Sequence, residues 1–146
     1  MEHQVRGGSS GERGLREATV QEIQLELIRR RRFNQFDGPR IVASLRRHRS
    51  LWRAVLMDRL GYVCEREGQQ TVSDLIKLRD LSHNCWNVDD MYILTDTLEQ
   101  ARELQRIQEE EQWLADNVTL IENQQELSHA LGSYPASGYI ISFWWD

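Results

Sequence analysis

Three acidic residues stand where short apolar runs end in the second half of the chain. Asp96 follows Met91-Tyr92-Ile93-Leu94-Thr95, Glu122 follows Val118-Thr119-Leu120-Ile121, and Asp146 closes the run Tyr139–Trp145. Carboxylates gathered at one edge of a sheet are hard oxygen ligands for Mg²⁺ or Ca²⁺, and a metal held there can assist phosphoryl chemistry. Asp96, Glu122 and Asp146 are therefore the candidate metal ligands. They converge only if all three strands run parallel, since ligands of open parallel sheets bind beyond the carboxyl ends of the strands. Capping is the competing role: Asp96 with Glu99, and Asn123 with Glu126, have the spacing of helix N-caps.

A second chemistry belongs to arginine. Arg46, Arg49 and Arg53 succeed one another at three and four residues, so on a helix they line one strip, widened by Arg47, His48 and Arg59. Such a strip can contact phosphates in a salt-dependent way, which makes these three the candidate nucleic-acid or phosphate-binding residues. A solvated face, or one pairing with acids of the same chain, is the preferred account, because the chain lacks the high overall pI of a nucleic-acid footprint. No aromatic residues interleave the arginines as a stacking platform requires. A third cluster, Ser82-His83-Asn84-Cys85-Trp86-Asn87-Val88-Asp89-Asp90, holds reactive side-chain types but lacks the ligand spacing of a zinc site. It reads as a turn closed by local Asn and Asp hydrogen bonds and anchored by Trp86. No Gly-rich phosphate loop, H-E-x-x-H or C-x-x-C occurs, and no cofactor is expected.

The elements that must position these groups follow from periodicity. Met1–Arg16 is rich in Gly and Ser and reads as a flexible tail. Thr19 with Glu22 opens a helix carrying Val20, Ile23, Leu27 and Ile28 on one stripe, which runs into Arg29-Arg30-Arg31-Arg32. Asp37-Gly38-Pro39 breaks it, and Pro39 starts a second helix that the 3.6-residue spacing of Ile41, Leu45, Trp52, Val55, Leu56 and Leu60 extends to residue 60. Gly61–Gln70 reads as a connection, with Tyr62-Val63-Cys64 a short strand within it, and Ser73–Leu81 as a helix. Residues 90–146 then show strand, helix, strand, helix, strand, with Gly132 stopping the second helix. The last strand is apolar on both faces, which suits a strand flanked and covered rather than a free edge.

Helices between short strands make parallel crossovers the default. The expected fold is thus α/β (or α+β), with N-terminal helices packed on a small, mainly parallel sheet of three to four strands. The expected organisation is a tail over 1–16 and one globular domain over 17–146, comprising a basic helical arm (17–60) and an acidic α/β core (61–146). The net charge of −5 hides this split: residues 1–60 hold 13 Arg against 7 acids, residues 61–146 hold 5 basic residues against 16 acids. Two unpaired cysteines, Cys64 and Cys85, suit a reducing compartment, and no apolar run is long enough to span a membrane. A cytoplasmic protein without membrane association is expected. Charge segregation, five tryptophans and the want of a catalytic pattern favour a non-enzymatic protein-interaction or regulatory domain. Its partner would be another protein or a second copy. Nucleic-acid binding and a metal-dependent enzyme are the alternatives.

Overall fold

Glu22 donates its backbone N–H to Thr19 Oγ1 at 3.1 Å, so the first helix begins at the residue its spacing marks. In the computed structural model, which describes residues 14–60 and 76–146, this helix (α1, Val20–Arg30) buries Leu25 and Ile28. A two-stranded hairpin follows (β1, Arg32–Phe33; β2, Phe36–Asp37), turned by Asn34 at φ 46°. Asp37 then caps α2 (Gly38–Arg47), with proline in its first turn. The crossing of α1 and α2 depends on Gly38, because a Cβ there would lie 2.1 Å from the Ile28 carbonyl and 2.5 Å from that of Arg31. Most of the tail, the connection 61–70, the strand at Tyr62–Cys64 and the start of the helix at Ser73 lie outside the described residues.

The expected helix over 39–60 is corrected. α2 ends at Arg47, a 3-10 turn spans Arg49–Leu51, and Ala54–Asp58 is a strand (β3). Ile41, Leu45, Trp52 and Val55 are buried, a pattern that helical spacing and strand alternation both satisfy at Val55. Pairing with β4 decides for strand, and the Trp52 indole donates to the Leu45 carbonyl at 2.8 Å, satisfying a last-turn acceptor of α2.

The mainly parallel sheet is corrected as well. After α3 (Ile76–Leu81) come β4 (Asp90–Thr95), α4 (Leu98–Glu110), β5 (Asn117–Ile121), α5 (Gln124–Leu131) and β6 (Tyr139–Trp144). The four-stranded sheet has the order β3-β4-β6-β5, and every neighbouring pair is antiparallel. The molecule is α+β. Helix length explains the directions. The 13 residues of α4 extend about 20 Å at 1.5 Å each, the length of a six-residue strand at about 3.3 Å each. That helix returns the chain to where β4 began, so β5 runs parallel to β4 without touching it. The 8 residues of α5 extend only about 12 Å. Gly132 at φ 64° reverses the chain there. Residues 133–138 then bring it back to the same end, and β6 slots antiparallel between β4 and β5. Its two apolar faces suit that central position.

Direct partners in the ladders share a face. Val55, Met57, Met91, Ile93, Ile141 and Phe143 form the inner face and are all buried. α1, α2 and α4 cover it with Ile28, Ile41, Leu45, Ala101, Leu104 and Ile107, in one core cluster that spans the basic and acidic parts of the chain. Just past β6, Trp145 meets Phe36 edge-on at 4.7 Å and donates its indole N–H to the Trp113 carbonyl at 2.8 Å. No described helix is long and apolar enough to cross a membrane.

Candidate interaction surfaces

The outer face of the sheet is built from the alternate residues: Ala54, Leu56 and Asp58 on β3, Asp90, Tyr92 and Leu94 on β4, Ile140, Ser142 and Trp144 on β6. α5 covers one end of it, burying Leu127. Among the described residues the remainder is only partly covered: Leu56 is 43% and Trp144 37% exposed, and Ala54, Tyr92 and Leu94 are half-buried. Between the start of α1 and α5 this face forms a groove of about 660 Å³. Val20, Leu56, Tyr92, Leu94, Leu131 and Ile140 line it, with Gln21 and Gln24 as polar members. At its mouth Asp58 pairs with Lys77. Burial and the neighbouring Asp90 carboxylate raise the Tyr92 hydroxyl above the usual range. Burial, together with the Asp89 charge, pushes Asp90 itself up to about 6.

The two edges of the sheet differ. On β3 the side-chain amide of Gln21 donates to the Val55 carbonyl at 2.8 Å and accepts from the Val55 N–H at 2.9 Å, so α1 imitates one rung of a ladder. On β5, pairing with β6 engages one side. Among the described residues no group bonds to the opposite side. The strand is part-exposed along its length.

The candidate arginines do not form a strip. Arg46 is on α2, Arg49 in the 3-10 turn and Arg53 ahead of β3. Arg49 lies over the Trp52 ring at 3.9 Å and donates to the Trp52 carbonyl at 2.5 Å. Arg53 donates to Asp96 Oδ1 at 2.8 Å and to Ser137. Arg46 is exposed, and its side chain makes no hydrogen bond or ion pair with another described residue.

The candidate metal ligands also separate. β4 and β5 end at the same side of the sheet, but β6 runs the other way, so Asp146 lies at the far end, its N–H donating to Asp116 Oδ2 at 2.8 Å. Asp96 is engaged by Arg53, and Glu122 lies 3.4 Å from Arg102. Among the described residues no group of three or more His, Cys, Asp or Glu side chains is arranged to hold a metal ion. Nor is Asp96 a cap: Thr97 accepts from the Gln100 N–H at 3.1 Å, and the Gln100 side chain accepts from Thr97 N–H at 3.2 Å. The Thr-x-x-Gln spacing one residue along carries this signal. In the cluster 82–90, Asp80 draws the Cys85 and His83 amides to its carbonyl, at 3.1 and 3.0 Å, and Arg31 reaches Asn87 at 3.0 Å, which ties the turn to α1.

Sequence reasoning missed one polar network. Ser44, fully buried on α2, donates to Glu111 at 2.9 Å and accepts the Trp113 indole N–H at 2.9 Å. Arg47 and His48 complete the coordination of Glu111. These bonds hold its carboxyl below the usual range despite partial burial. Ser44 faces Glu111 rather than the imidazole, so the group is a structural tie between α2 and the end of α4 and not a nucleophile with its base. Its signal in the sequence was a serine on the apolar stripe of α2.

Comparison with protein-family models, with curated proteins and with solved structures finds no match to this chain.

Proposed function

We propose that this chain is a protein-interaction domain that receives an apolar segment of another protein on the outer face of its sheet. One observation carries this reading: among the described residues, a groove of about 660 Å³ lined by Leu56, Tyr92, Leu94, Leu131 and Ile140 lies on the side of the sheet away from the helix-covered core. Contiguous exposed apolar surface on a folded domain marks binding sites, because leaving it in water forgoes about 25 cal/mol per Å². The arginines that could serve phosphate binding are largely engaged by Trp52, Asp96 and Ser137, which favours a protein partner over nucleic acid.

Peptides selected from a random display library against the whole chain test this. They are expected to carry apolar residues at fixed spacing and to bind Leu56→Arg at least tenfold more weakly. Leu56 is 43% exposed, so the variant is expected to fold. A selection that yields no binder, or binders indifferent to Leu56→Arg and Leu131→Arg, overturns the reading.

A further inference from the structure

The two edges of the sheet carry a second, independent inference. An unpaired strand edge is a template for another strand, and proteins protect such edges with charges, proline or a covering element. The β3 edge has its cover in α1 and Gln21. Among the described residues the β5 edge has no such cover. Asn117-Val118-Thr119-Leu120-Ile121 contains no charge, proline or glycine, and three of its five residues are β-branched. Val118 and Leu120 pack on the core cluster, so an added strand would meet an apolar margin on the inner face. Alternate residues of β5 present their N–H and C=O outward, which supplies the rungs.

Charge selects the occupant. Asp116 and Glu122, both exposed, bracket the uncharged centre. A second copy pairing antiparallel about Thr119 would set Asp116 against Glu122 of the second copy at both ends, and like charges directly opposite destabilise a ladder. A strand with basic ends meets opposite charge at both. Glu122 remains available for it, since its pair with Arg102 is long, at 3.4 Å, and more than half exposed on both sides. We propose that β5 is a strand-addition site for an extended segment of another protein, uncharged over about five residues and flanked by Lys or Arg. Main-chain hydrogen bonds supply the affinity of this mode and the flanks its specificity.

A fluorescent probe of sequence Arg-Lys-Val-Thr-Val-Thr-Val-Lys-Arg, titrated into the whole chain at low salt, tests the proposal. Saturable binding is expected, with hydrogen-exchange protection appearing at alternate amides of residues 117–121. N-methylating the probe amides along one edge should weaken binding at least tenfold when that edge faces β5. The double variant Asp116→Lys, Glu122→Lys should lose at least tenfold in affinity and instead take a probe with Glu at both ends. Leu56→Arg should leave binding unchanged, which separates this site from the groove. Protection elsewhere in the chain, or equal binding of probes with acidic, neutral and basic ends, would overturn it. So would concentration-dependent protection of the same amides without any probe, which would assign the edge to a second copy.

Discussion

Trp144 and Trp145 are neighbours in sequence and belong to opposite sides of one sheet. The inner side, where Trp145 ends up fully buried, is closed by three helices and an aromatic cluster of Phe36, Trp113, Phe143 and Trp145. The outer side keeps Trp144 37% exposed, its indole N–H donating to Asp89 at 3.1 Å. The same alternation therefore places stability on one side and accessible apolar surface on the other. A domain that needed only to fold would gain by covering the outer face too, and of the described elements the short α5 covers just one end of it. Under the proposed function, binding falls where the fold can spare residues.

Truncating the two tryptophans is the most direct way to break this comparison. Trp145→Ala removes a fully buried ring and strands the Trp113 carbonyl, and should cost about 3–5 kcal/mol. Trp144→Ala should cost about 2 kcal/mol, the worth of one hydrogen bond and the partial burial of a ring that is 37% exposed. Urea denaturation of both variants measures this. Equal losses would mean that the outer face is as closed as the inner one.

The inner layer also depends on a polar tie, and Ser44→Ala sharpens what holds it shut. The variant leaves the Trp113 indole N–H without its acceptor and takes one donor from Glu111. A loss of about 1–3 kcal/mol is expected, the desolvation penalty of an unsatisfied buried group rather than the smaller net value of a bond. A calorimetric melting temperature unchanged from the parent would show that the indole finds another partner.

How far this division was legible in the sequence depends on the range of each signal. Local signals read well: Thr19 and Asn123 do cap helices, Pro39 lies in a first turn, and Gly132 does end α5 in a left-handed conformation. Residues 90–146 follow the strand and helix order that periodicity gives. Direction did not read. Whether α5 is a crossover or an excursion depends on an 8-residue helix folding back through residues 133–138, and nothing in the apolar spacing encodes that return. The strand at Ala54–Asp58 was hidden for a related reason, as Val55 satisfies both periods and only pairing with Ile93 separates them. The candidate residues come apart with the directions: once β6 is reversed Asp146 leaves Asp96 and Glu122, and once α2 stops at Arg47 the three arginines fall on separate elements. Both surfaces proposed for binding are defined by what no other described element covers, a property of the assembled sheet that no stretch of sequence carries.

The smallest effect expected is electrostatic and lies on the open face. Asp90 sits across the ladder from Asp58 and Trp144, beside Asp89 and Tyr92, with Arg59 as the nearby cation. Burial, reinforced by Asp89, raises its carboxyl from 3.8 to about 6. A group whose pKa is higher in the fold than in the unfolded chain binds its proton preferentially in the fold. Its contribution is therefore fully present below about pH 4 and is lost as pH rises to about 6. Glu26, held down to about 2 chiefly by Arg29, works in the opposite sense and loses its contribution at lower pH. The parent profile sums both, so the informative quantity is the difference between Asp90→Asn and parent. That difference should be near zero at pH 3 and favour the variant by less than about 1 kcal/mol at pH 7, after discounting for partial exposure. Denaturation midpoints measured between pH 3 and pH 7 supply the curve. A flat difference would mean that solvent reaches Asp90 freely, and the outer face would then be more open at this end than its geometry indicates.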